Sequence, residues 1–204
     1  MVDQTRVVYD SIDKEVITKG EKKAHKTVIL SFDDGPGRAL PALLDILKKE
    51  NVQAMFFWQS RLLYGERPWK RVLDEGHIIG THSCRHPNLT NLNYDQQFKE
   101  LSNSKHKIED ITDFPITYFR PPFGQYNSET IKAAQDLDLT TVMWRISSMD
   151  WELAKNPNKI VENVVSNLED GAIILLHELK QTVQVLPTII KDIRAQGYEF
   201  AVLP

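Results

Sequence analysis

A single cysteine, Cys84, stands among 204 residues, which excludes a disulfide framework and any cysteine-built zinc module. No apolar run approaches the roughly 18 residues needed to cross a bilayer; stretches such as Ala172–Leu176 are of strand size. Charge of one sign is also lacking. Twenty-five Lys and Arg against 28 Asp and Glu leave a net charge of −3, so neither nucleic acid nor an anionic membrane is an expected partner. Met1–Lys26 is polar and charged, without the apolar segment of a signal peptide. Repeats, linkers and low-complexity tracts are missing too, and the remaining composition, 41% hydrophobic and 26% charged, is that of a soluble globular chain with one sizeable core.

What the sequence does have is alternation. Apolar, β-rich runs at Val28–Phe32, Val52–Phe57, His77–Gly80, Ile116–Phe119, Thr140–Trp144, Ala172–Leu176 and Tyr198–Leu203 are separated by helical patterns. Several runs are apolar at nearly every position, as strands buried on both faces of a parallel sheet must be. Leu40, Leu43, Leu44 and Leu47 follow helical spacing, and so do Leu186, Ile189, Ile190 and Ile193. Asn93 with Gln96 predicts a capping box, Asn156-Pro157 an N-cap with proline at the first helical position, and Gly76 and Gly197 helix stops. The expected fold is one α/β domain over 27–204, a small barrel or an open sheet. Residues 1–26 are expected to form an arm or hairpin.

In either architecture the chemistry gathers where strands end. Asp33 and Asp34 follow the first run, His82 and His86 the third, Arg120 the fourth, Asp150 and Trp151 the fifth and His177 the sixth. Adjacent aspartates leaving a strand point opposite ways, so one can hold a metal while the other faces a water; the plainer reading is an Asp-Gly turn capping a helix. His82 and His86, four apart, can share a metal on one face, and with one carboxylate they form the open three-ligand site of catalytic zinc. Cys84, between them, reads as a small buried filler. Arg120–Gly124 is either a surface arginine on a proline turn or a stiff loop aiming the Phe123 N–H at a substrate oxygen. His177 is a general acid kept protonated by Asp150, or a core histidine satisfied by backbone. Glu178, after it, reads as a rim residue. His25, His77 and His106 read as structural or exposed.

Taken together, Ser31–Pro36, His82–His86, Arg120–Gly124, Asp150-Trp151 and Leu175–His177 resemble, in order and spacing, the five motifs of the polysaccharide deacetylases (NodB homology, carbohydrate esterase family 4). The resemblance covers about residues 27–203. It implies a distorted (β/α) barrel of about seven parallel strands and metal-dependent removal of N-acetyl groups from a GlcNAc-containing polysaccharide, peptidoglycan or chitin-like. By the same resemblance, Asp33 is the base, held by Arg120. Asp34, His82 and His86 bind one divalent ion, zinc with cobalt or nickel as substitutes. His177 is the acid, tuned by Asp150; Trp151 and Leu175 line the acetyl pocket, and the oxyanion meets the Phe123 N–H. Family members usually carry an aspartate where this chain has Ser147. The alternatives are an O-acetyl esterase with the same site and a silent carbohydrate-binding module. A monomer is expected, located in the envelope or secreted if a leader has been removed, and cytoplasmic otherwise.

Overall fold

The computed structural model describes residues 6–11 and 13–204. In chain order the elements are β1 (Val16–Ile17), β2 (Thr27–Gly35), α1 (Leu40–Lys49), β3 (Ala54–Trp58), α2 (Trp69–Asp74), β4 (Ile78–Thr81), α3 (Tyr94–Thr112), β5 (Tyr118–Phe119), α4 (Ser128–Gln135), β6 (Thr140–Val142), β7 (Ile146–Ser147), α5 (Pro157–Val165), β8 (Ile173–His177), α6 (Lys180–Ala195) and β9 (Glu199–Phe200). The strands form one curled sheet in the order β1-β6-β5-β4-β3-β2-β8-β7, with β9 beside the start of β2. Every named pair is parallel. This is the distorted barrel expected, with β1 and β7 as additional short strands. The sixth strand stops at Val142 because the chain then crosses the seam: Met143 N–H donates to Ile17 O, while Arg145 N–H donates to Ile173 O.

Strand alternation divides the apolar residues into two clusters. Val28, Leu30 and Phe32 of β2, with Phe56 and Trp58 of β3, face outward and meet Leu40, Leu43, Leu44 and Leu47 of α1 and Leu186, Ile189, Ile190 and Ile193 of α6. Each of these side chains, withdrawn from water, contributes about 1.5–3 kcal/mol. Ile29, Met55, Phe57, Val142, Ile173 and Leu175 point inward and fill the barrel. The inward series of β2 continues as Ser31 and Asp33, so the same alternation that builds the core delivers a carboxylate to its upper end.

Helix ends follow the sequence signals. Asn93 accepts from Gln96 N–H while the Gln96 side chain accepts from Asn93 N–H, closing the capping box of α3. Gly76 and Gly197 take left-handed φ values of 79° and 81° after α2 and α6. Asn156 precedes Pro157 at the start of α5 but makes no side-chain cap bond.

Among the described residues before 27, those around Val8 and from Val16 to Gly20 are laid into the seam. Val16 and Ile17 pair with Thr141 and Val142, Ile173 N–H donates to Thr18 O, and Gly20 N–H donates to Gly171 O. Upstream, Val8 bridges Ile146. Tyr9 packs 6.0 Å from Trp144, and its hydroxyl lies 3.2 Å from that of Tyr126. The strap thus joins β6 to β7 and β8 and completes the wall of the barrel.

Candidate metal and acid–base site

Parallel register places the key residues side by side. Asp33 on β2 pairs directly with His177 on β8 and with Phe57 on β3. Thr81, the last residue of β4, pairs with Phe119 of β5, which sets His82 beside Arg120. The Arg120 guanidinium is fully buried among the inward residues, 4.1 Å above the Phe57 ring. Nη1 donates to Asp33 Oδ1 at 2.7 Å and to Ser31 Oγ at 2.9 Å; Nε and Nη2 donate to the carbonyls of Val142 and Met143. Burial pushes the guanidinium down from its usual range and Asp33 opposes it. A buried arginine with its donors this fully used fixes one oxygen of Asp33. The other, Oδ2, lies 3.8 Å from His82 Nε2.

Asp34, His82 and His86 converge as a cluster able to hold a metal ion. His86 Nε2 lies 3.1 Å from His82 Nε2 and 3.3 Å from Asp34 Oδ1, and His82 Nε2 lies 3.8 Å from the same oxygen. Zinc bonds of about 2.0–2.1 Å in a tetrahedron set donor–donor edges of about 3.3–3.4 Å; two of the separations lie near that spacing and the third is wider, so the cluster is of a size for a small divalent ion. The donor chemistry fits as well. His82 Nδ1 lies 2.7 Å from the Arg120 carbonyl; a carbonyl only accepts, so the neutral ring carries its proton there and turns the Nε2 lone pair to the cluster. Burial and the neighbouring His82 push His86 down to about 4, which keeps it neutral. For Asp34 burial acts upward, but His82, His177, His86 and the Gln59 amide together hold it below the usual carboxylate range.

Tight backbone turns aim these groups. Of the eight non-glycine residues with positive φ among the described residues, Asp34, Ser83, His86, Phe123 and Met149 belong to the site loops. Left-handed backbone costs such residues about 1–2 kcal/mol each, and local bonds hold them there. Ser83 Oγ accepts from His86 N–H, and Glu100 on α3 accepts from the N–H groups of Cys84 and Arg85.

On the other flank, His177 Nδ1 bonds Asp150 Oδ1 at 2.7 Å. Asp150 is fully buried, and its Oδ2 accepts from His177 N–H and the Thr182 hydroxyl. Burial alone lowers the imidazole, but Asp150, through charge and hydrogen bond, with Asp33 and Asp34 behind it, raises it to about 9. His177 Nε2 faces Asp34 Oδ2 at 3.9 Å. Asp33, Asp34, His82, His86 and His177 border one pocket of about 310 Å³, lined also by Phe123, Trp144, Trp151 and Leu175. Phe123 and Trp151 stand partly exposed at its mouth, edge-on to His86 and His177 respectively.

Comparison with known proteins then decides the family. The polysaccharide deacetylase family model matches residues 20–142. The chain belongs to the polysaccharide deacetylase family. The peptidoglycan-N-acetylglucosamine deacetylase PgdA of Listeria monocytogenes is 34% identical over 184 residues, covering 89% of this chain and 39% of the relative; the chain therefore spans about two-fifths of that protein's length. Among solved structures, the peptidoglycan deacetylase PdaC of Bacillus subtilis superposes with a TM-score of 0.79 at 32% identity, covering 87% of each chain. A carbohydrate esterase family 4 pseudoenzyme from Bacillus anthracis superposes with a TM-score of 0.82 at 31% identity, over 91% of this chain and 66% of that one. Polysaccharide deacetylase membership thus includes at least one silent protein, and activity rests on the completeness of the site.

Measured by the motifs of the polysaccharide deacetylase family, this chain has one departure. Ser147 takes the place of the usual aspartate; it is buried on the pocket wall, with a hydroxyl that meets no hydrogen-bond partner among the described residues. Two sequence readings are corrected. Glu178 is 8% exposed rather than at the rim; burial raises it to about 7, against the pull of the Gly37 and Trp58 N–H groups. Cys84 is only partly buried. Supporting residues that the sequence reading passed over are Gln59, Glu100, Ser31 and Thr182. Gln59, whose amide donates to Asp34 Oδ1 at 2.7 Å, carried a signal: it is the polar residue directly after an apolar strand. Glu100 carried none, because only tertiary folding brings α3 over the His82–His86 loop.

Proposed function

We propose that this chain is a metal-dependent deacetylase that removes N-acetyl groups from a GlcNAc-containing polysaccharide, with peptidoglycan the first substrate to test. The observation that carries the reading is the pair of dyads beside the cluster: Asp33 fixed by Arg120 and His177 fixed by Asp150, each presenting an atom within 4 Å of a cluster ligand. Relatives named as peptidoglycan deacetylases support the substrate. That polymer lies outside the cytoplasmic membrane, so the reading puts the site of action at the cell envelope.

Asp34, His82 and His86 would hold a divalent ion, zinc by its donor set. Such an ion supplies Lewis-acid polarisation of the amide carbonyl and acidifies a water. Asp33 Oδ2 takes the proton of the attacking water, while Arg120 prevents the carboxylate from turning away. As the carbonyl carbon becomes tetrahedral, its oxygen is assigned to the Phe123 N–H. An amine does not leave as an anion. His177, charged at neutral pH, delivers a proton to the nitrogen as the C–N bond breaks, releasing acetate and the free amino sugar. Leu175, Trp144 and Trp151 enclose the acetyl methyl group.

The test is acetate release from N-acetylglucosamine oligomers and from peptidoglycan by chelator-stripped protein, with and without added zinc or cobalt. Release restored by metal is expected. Metal bound without release from N-acetyl or O-acetyl sugars would make the chain a silent binding module. Release from O-acetyl sugars alone would make it an esterase, and failure to bind metal would remove the cluster assignment.

A further inference from the structure

Glu178 has no part in the proton transfers above, yet it is among the most confined carboxylates of the chain. It follows His177 at the end of β8 and reaches across to the turn after β2. Oε1 accepts from the Trp58 indole N–H at 3.0 Å, and Oε2 accepts from Gly37 N–H at 2.5 Å. Glu178 N–H in turn donates to Asp33 O at 3.4 Å. The turn is shaped to receive it: a methyl group at Gly35 would sit 1.8 Å from Oε1 and 2.7 Å from Trp58 Cδ1. Gly35 O also accepts from Gln59 N–H at 2.9 Å, and the Gln59 side chain grips Asp34. The 34–37 turn is therefore clasped between β3 and β8, with Asp34 in its left-handed conformation, φ 65°, at the start.

We propose that Glu178 is a positioning residue for the metal cluster, holding the turn that aims Asp34 before any ion arrives. A carboxylate is required there because both partners are donors. A glutamine of the same shape offers one acceptor and one NH2 group, so one N–H of the clasp would face another donor. The glycine at 35 and the glutamate at 178 then form one device, since the glutamate reaches its place only where residue 35 carries no Cβ.

This inference rests on the metal-dependent reading, and the experiment separates the two. Zinc affinity is measured at pH 8 by competition with a chromophoric chelator, for the wild-type chain and for Glu178→Gln, with thermal unfolding followed in parallel. Loss of a supporting bond behind a metal ligand weakens affinity about 10- to 100-fold, and a drop of that size in a folded variant is the expected result. A variant that unfolds earlier yet binds zinc as the wild type does would make Glu178 merely a structural tie and overturn the proposal. A wild-type chain that binds no zinc would instead refute the metal reading itself. Should Glu178→Gln fail to fold, amide exchange in the metal-free wild type decides: a Gly37 N–H and Trp58 indole N–H that are already protected are expected. Rapid exchange that slows only on adding zinc would show that the ion, not Glu178, orders the turn.

Discussion

Replacing Asp150 with asparagine tests the acid–base assignment most directly. The carboxylate contributes charge and a 2.7 Å hydrogen bond to His177, and it outweighs a burial effect that on its own drives the imidazole to lose its proton. An amide keeps one acceptor but removes the charge and turns an NH2 toward the His177 N–H and the Thr182 hydroxyl. The imidazole then falls from about 9 to its ordinary 6.5 or lower. At pH 8 the wild-type acid is roughly 90% protonated and the variant's about 3%, whereas at pH 6 both are mostly protonated. The deficit in kcat/KM should therefore widen about 20-fold between pH 6 and pH 8, as the alkaline limb of the rate profile moves to lower pH. The assay is acetate release from an N-acetylglucosamine oligomer across that range, with NMR titration of the His177 ring in metal-free protein as the direct readout. An alkaline limb that stays in place, with an imidazole that titrates as before, would refute the reasoning.

Asp33→Asn is expected to lower turnover by about 10²–10⁴-fold with zinc affinity retained, and to cost about 3–5 kcal/mol in urea unfolding because the buried Arg120 loses its countercharge. Equal turnover would remove Asp33 as the base. Stability of the metal-free chain should also depend on pH through His177. Its pKa is raised on folding from 6.5 to about 9, so the folded state binds the proton more tightly. That contribution, on the order of 3 kcal/mol, is complete below pH 6.5 and is lost as pH rises through 9. The difference between Asp150→Asn and wild type in urea unfolding should accordingly shrink from pH 6 to pH 9.5; a difference that does not vary with pH would contradict the linkage.

Much of this was legible because a parallel sheet writes its functional edge into the sequence: each apolar run ends where a strand ends, and the residue that follows is at the rim. Asp33, His82, Arg120 and His177 are all of that kind, and Gln59 could have joined them. The long sheet-facing sides of α1 and α6 were equally plain from leucine and isoleucine spacing. What the sequence did not disclose is contact made across the barrel. Glu178 looks like any polar residue after a strand, and its burial depends on a gap at Gly35 and an indole 120 positions away. Strands β1 and β7, two residues each, are too short for periodicity to register. They exist because the seam offers unpaired backbone that the strap can satisfy.

The placement of β2 between β3 and β8 has a consequence for the life of the chain during synthesis. Ser31 and its hydrogen-bond partner Ile174 lie 143 positions apart, so at a translation rate of about 5–20 residues per second the central strand waits roughly 7–30 s for its neighbour. During that interval Val28–Phe32, apolar on both faces, has an open edge, the kind of surface on which chaperones act and aggregates start. Asp33 and the cluster residues Asp34, His82 and His86 have already emerged by then, but His177, the proton donor of the proposed reading, has not. On the proposed metal-dependent reading, a nascent chain would have the residues to capture an ion long before it could hydrolyse anything, and catalysis would begin only when the last third of the polypeptide docks.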